Sequence, residues 1–148
     1  MKSRIFKTML IAGFLFSLSA VTAQAQGGKS LAVDVPFDFM VSGKSLPAGK
    51  YVVVRGTQAS AEGLRLQSTD GKKGVYVLTI SIQSAETREQ GAVVFTRYGD
   101  EYFLSQVWIA GKATGRELFK GARERTLQRD IARRAVKPET VAITGRSK

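Results

Sequence analysis

The side chains best placed to do chemistry are cations. Arg125, Arg129 and Arg133 recur every four residues near the C-terminus, a spacing that lines them along one ridge if the segment is helical. Such a ridge is either a solvated face that complements the negative end of a helix or a contact surface for an anionic partner. The second concentration is "FTRYGDEYFLSQVW", residues 95–108, with five aromatic rings in fourteen residues. Tyr98, Tyr102 and Trp108, with Arg97 beside them, have the chemistry of a stacking platform for sugars or bases. Rings gathered about a Gly-Asp turn more commonly pack across a hairpin, and that is the favoured reading.

Catalysis finds little to work with. The chain has no His and no Cys, which removes the Ser-His-Asp triad, the Cys-His pair and the usual zinc sites. Asp100 and Glu101 adjoin at a turn tip, whereas glycoside hydrolysis needs two carboxylates held apart across a cleft. "SGKS" at 42–45 has neither the helical spacing of a Ser-Lys nucleophile nor the context of a phosphate-binding loop. Asp34, Asp38 and Asp70 lack calcium-loop spacing. The expectation is a protein that is not an enzyme and uses no cofactor and no metal.

The N-terminus decides the expected compartment. Lys2, Arg4 and Lys7 precede a thirteen-residue apolar run, Met9 to Val21, and Ala23-Gln24-Ala25 supplies the small-x-small pattern of a cleavage site. The run is short of the ~20 residues that span a bilayer, so residues 1–25 read as a signal peptide, with no transmembrane span after cleavage at Gln26. The destination is the periplasm or the extracellular space. Without Cys or Asn there is no disulfide, lipid-anchored cysteine or glycosylation sequon. Removing three of the 23 basic residues leaves 20 against 12 acidic. Nine basic and four acidic residues lie from Glu117 onward. The basic C-terminal part suits an anionic envelope lipid, a polysaccharide or an acidic protein. Nucleic acid is an unlikely partner for an exported chain without a recognised module.

Strand signals fill residues 30–110. "LAVDVPFDFMV" alternates with period two, and Pro36 points to an edge. "LPAG" is a turn returning into "KYVVVRG". "GLRLQST" follows, then "DGKKG" as a turn and "VYVLTISIQ" with Tyr76, Leu78, Ile80 and Ile82 on one face. The other face, Val75, Val77, Thr79 and Ser81, is partly apolar, so this strand is expected to be central and covered on one side. "AETREQG" reads as a break, after which "AVVFTRY" and "YFLSQVWIA" form a hairpin about Gly99-Asp100. A helix is predicted over about 122–136, with Gly121 as N-cap, Glu124 at the third position, a Leu127/Ile131/Ala135 stripe for docking, and an Asp130–Arg134 pair. "PETVAITGRSK" is a tail or a short edge strand at Thr140–Thr144.

Three stretches, "FDFMVSGKSLPAGKYVV", "VVFTRYGDEYFLSQVW" and "GRELFKGARERTLQRDIA", together resemble an uncharacterised family of small exported bacterial β-rich proteins. That family shares F-x-F, an L-P-A-G-x-Y turn, an R-Y-G-x-x-Y-F-L-x-x-x-W block and a G-x-x-L-x-K-S-x-x-E-R tail. Thr96 stands where a histidine is common in it, and Gly121 where serine is expected. The resemblance covers most of the chain after residue 25. It implies export and a β-rich fold but no activity.

The resulting expectation is mainly β: a small antiparallel sandwich or partly open barrel of six or seven strands at 26–116, a basic amphipathic helix within 117–137 packed on it, and a tail or short edge strand at 138–148. The expected function is that of a non-enzymatic envelope or extracellular binding or structural protein. The alternative is a carrier with a small apolar ligand inside the β domain.

Overall fold

A computed structural model describes residues 30–56 and 62–147. The signal-peptide segment and the cleavage point at Gln26 lie outside the described residues. Ten strands and one helix follow in the order β1 (Ser30–Val35), β2 (Phe39–Val41), β3 (Lys44–Leu46), β4 (Gly49–Arg55), β5 (Gly63–Ser68), β6 (Gly74–Arg88), β7 (Gly91–Tyr98), β8 (Glu101–Trp108), β9 (Lys112–Leu118), α1 (Ala122–Arg133) and β10 (Glu139–Ser147). Among the described residues no helix is long and apolar enough to cross a membrane.

Eight strands close on themselves in the order β1-β4-β5-β6-β9-β8-β7-β10 and back to β1, every pair antiparallel. The domain is therefore a closed eight-stranded barrel with two extra strands, not a sandwich or open barrel of six or seven. The extra pair is the β2–β3 hairpin. Pro36, which has no N–H to donate, falls in the break between β1 and β2. β2 then crosses to β8, bridging it in parallel at Met40–Phe103. Phe39, Val41 and Leu46 of the hairpin are buried in the core. The Phe39 ring stands edge-on to Tyr51 and to Phe95, both at 5.3 Å. Eight strands leave an interior just wide enough for side chains to fill, and these rings plug it.

Two strands turn the corners. β6 is fifteen residues long; its first part pairs with β5 and its second with β9. Within "AETREQG" the break is accordingly shorter than expected: the strand runs on to Arg88 and only Glu89 and Gln90 separate it from β7. β10 pairs with β7 from Glu139 to Gly145, then passes to β1 at Arg146 and Ser147. The last segment is thus neither tail nor edge but the seam of the barrel. Gly145 permits it: a Cβ there would stand 2.5 Å from the Ala32 carbonyl oxygen and from Val33, so only glycine lets β1 approach.

The alternation along β6 places Val75, Val77 and Thr79 inside. The Thr79 hydroxyl donates to the Glu62 carbonyl at 2.6 Å, which makes its burial tolerable. Tyr76, Leu78 and Ile80 therefore point outward, where they are 53%, 60% and 46% exposed. The strand is central, between β5 and β9, and covered on one side as expected, by the barrel interior rather than by a helix, tail or second sheet. The more apolar face is the one left in solvent.

Candidate functional site

The basic helix is positioned by its first turn. Gly121 is the N-cap, and a Cβ there would stand 3.1 Å from the Gly43 backbone nitrogen, so the chain enters α1 pressed against the β2–β3 turn. Arg123 donates two hydrogen bonds to Glu101, at 2.6 and 3.2 Å, tying the helix to the β7–β8 turn. That pairing lowers the Glu101 carboxyl from its usual value and raises the Arg123 guanidinium. Glu124, in the same turn, is 5% exposed, and its Oε1 has no protein hydrogen-bond partner. Burial pushes its carboxyl above the ordinary value, against a smaller lowering by Lys120. The Tyr98 hydroxyl is raised by its own burial and then by the Glu124 charge.

α1 ends at Arg133, short of the expected 136. Ala135 takes a left-handed φ of 53°, and the amides of Ala135 and Val136 turn back to the carbonyls of Ala132 and Ile131, closing a Schellman motif on a residue other than glycine. Leu127 and Ile131 are half-buried, whereas Ala135 lies past the helix and exposed, outside the docking stripe.

Arg125, Arg129 and Arg133 are all exposed. Arg125 donates to the Lys120 carbonyl at 2.5 Å and Arg129 to the Arg125 carbonyl at 3.3 Å, so both guanidiniums bond to main-chain oxygens rather than carboxylates. Arg133 stands 4.0 Å from Asp130; that pairing replaces the expected one with Arg134. The ridge thus keeps its positive charge facing outward.

The structure does not bring Tyr98, Tyr102 and Trp108 together. Cross-strand pairing places Tyr98 and Trp108 on the outer face of β7–β8, near opposite ends, and Tyr102 on the inner face at the barrel mouth. Tyr98 and Trp108 are each 4% exposed. Tyr102 stacks on Phe37 with centroids 3.8 Å apart. Trp108 lies on Gly115, where a Cβ would stand 2.6 Å from the ring, and the Arg88 guanidinium lies over the ring at 4.5 Å. Arg97 is held at the mouth by the Gly99 carbonyl at 2.7 Å and by Glu139 at 3.1 Å.

The remaining polar candidates serve turns. Asp38 accepts from the Ala48 amide at 2.8 Å. Asp70 accepts from the Ser68 hydroxyl and the Lys72 amide, bonds that hold its carboxyl below the usual range. Asp34 is exposed on β1, Ser42 and Gly43 form the exposed β2–β3 turn, and Lys44 and Ser45 are exposed at the start of β3. No cluster of three or more acidic residues among those described could hold a metal ion.

Sequence reasoning missed two charged groups. Arg116 pairs across from Val107 and Ser81 and points into the barrel, 8% exposed. Its burial, and then the neighbouring Arg55, hold its guanidinium below the usual value, with Glu62 opposing. The other is Glu124: its place in the first turn was legible, its burial was not. No protein-family model, no curated protein and no solved structure matches the chain.

Proposed function

We propose that the protein is an exported, non-enzymatic binding protein of the envelope or extracellular space that engages an anionic partner through α1. The observation that carries this reading is the exposed row Arg125, Arg129 and Arg133, two of whose guanidiniums bond only to main-chain oxygens. Of the nearby acids, Glu124 is buried and Glu101 holds Arg123, so that Asp130, 4.0 Å from Arg133, is the acid that meets the row. A row so placed offers three donor forks to phosphate or carboxylate oxygens. The carrier alternative has less behind it, because Phe39, Tyr51, Phe95 and their aliphatic neighbours fill the barrel where a ligand would sit.

Replacing Arg125, Arg129 and Arg133 together with Gln tests this. The variant is expected to fold like the wild type and to lose co-sedimentation with an anionic polysaccharide or anionic vesicles. Wild-type binding is expected to weaken steeply between low and physiological salt as exposed charges are screened. Equal sedimentation of the two proteins would end the proposal.

A further inference from the structure

Exposed large apolar side chains are not scattered over the barrel. Among the described residues they are Tyr76, Leu78, Ile80, Phe119 and Val136. The first three follow one another on the outside of β6. Leu118 pairs with Thr79, so the antiparallel register carries Phe119, 57% exposed, to the place beside Leu78. Four apolar side chains thus share one outer face. Tyr76 is spread over Gly63, where any Cβ would collide with its ring. Cations edge one end of this face: Arg65 lies across from Tyr76, and Lys44, Arg65 and Lys73 line a hollow of about 330 Å³ beside it, while at the other end Glu117 lies across from Ile80.

We infer that this face docks on an anionic lipid bilayer surface, with Tyr76, Leu78, Ile80 and Phe119 entering the headgroup–acyl boundary and the edging cations meeting lipid phosphates. Apolar surface and cationic edge are the two signals that together give stable peripheral binding. Tyr suits the interface, and Lys and Arg stems extend along apolar surface while their charges stay in water. Three features favour a bilayer over other occupants. The face is the outside of a closed barrel and therefore convex, which a deformable lipid surface fits better than a preformed protein groove. A second copy would bring its own cationic edge against this one. The outer side of the neighbouring β5 carries Arg65 and Gln67, so the apolar surface does not encircle the barrel as a spanning barrel requires; the protein lies on the bilayer. The inference rests on the anionic-partner reading but uses residues outside α1, so the two can fail separately.

The test uses the chain from Gln26, which retains the whole buried core from Leu31 onward and omits the apolar run at 9–21. Vesicles of phosphatidylcholine with and without phosphatidylglycerol are the probe. Binding is expected only to the anionic vesicles, and Leu78→Thr with Ile80→Thr is expected to lower the partition coefficient on the order of tenfold. Because the chain has no Cys, Leu78→Cys and Arg129→Cys can each carry one environment-sensitive fluorophore. A blue shift at 78 on adding anionic vesicles supports the inference. A blue shift at 129 with none at 78 overturns it and leaves the proposed function standing. Loss of both shifts while polysaccharide binding persists overturns it likewise. A dimer in analytical ultracentrifugation that the threonine pair disperses overturns it in favour of self-association.

Discussion

Two outer faces of this barrel are built from sequence of the same kind and end in opposite states. On β7–β8, Ala92, Val94, Tyr98, Phe103 and Trp108 point away from the barrel axis, yet none is more than 7% exposed. Trp108 is closed between Gly115 and the Arg88 guanidinium, Tyr98 meets Phe103 edge-on at 5.6 Å, and α1 contacts β7. On β6, Tyr76, Leu78 and Ile80 point outward and stay about half exposed. Period-two alternation tells which residues share a face. It does not tell which face is covered, because cover comes from distant segments such as the end of β6 and α1.

The largest expected effect tests the covered face. Trp108→Ala should cost roughly 3 to 5 kcal/mol, since it empties the space between Gly115 and Arg88. Urea denaturation followed by far-ultraviolet circular dichroism measures it. A loss under about 1 kcal/mol would mean that the outer face of β7–β8 is no second core.

The next effect lies under the helix and depends on pH. The folded-state carboxyl of Glu124 is raised above its ordinary value by burial. Its contribution is therefore most favourable when it is protonated, below the ordinary glutamate value, and is lost as pH rises through the raised one. Glu101 runs the other way: its folded value is depressed by Arg123, so its contribution is present above the ordinary value and lost as pH falls through the lowered one. Glu124→Gln keeps the shape and removes the titration. It should stabilise the protein at pH 7 by about 1 kcal/mol, because the buried group without a partner is then neutral rather than charged. Denaturation midpoints between pH 4 and 7 check this, and a wild-type slope persisting in the variant would show that Glu124 is solvated.

Ala135→Gly comes third. A left-handed φ at a residue with a Cβ is unfavourable, and glycine removes that at some cost in backbone freedom. The net gain should be about 0.5 to 1 kcal/mol, read as a small rise in melting temperature. An unchanged or lower value would mean that the end of α1 adds nothing to the cover over β7.

Much of the fold was legible where one residue type dictates one backbone state. Gly99-Asp100 forms the expected two-residue turn, with Gly99 at φ 63°. Gly121 caps α1 as its position implied. What was not legible depended on pairing across the chain. "AETREQG" is polar and resembles a loop, but its first four residues continue β6, which after an irregularity beyond Gln83 pairs with β9 again at Arg88 and Lys112. "KATGREL" has no strand pattern to read, since Gly115 and Arg116 interrupt it; the glycine makes room for the Trp108 ring and the arginine turns inward. The arginine ridge could be read from spacing alone, since exposure needs no partner. The separation of Tyr98 from Tyr102 could not, because it depends on which side of a hairpin faces the barrel axis.

The smallest expected effect is on the uncovered face and completes the contrast. Leu78 and Ile80 are already 60% and 46% exposed, so unfolding gains them little further contact with water and truncation opens no cavity. Threonine is β-branched, which suits a strand. Leu78→Thr and Ile80→Thr should each leave stability within about 0.5 kcal/mol of the wild type. A loss approaching that of Trp108→Ala would show that some other part of the chain lies over β6 in solution and that the two faces are alike after all. An unchanged melting temperature means that these apolar groups do no work for the folded barrel, so any effect of the same substitutions on vesicle binding belongs to the surface itself.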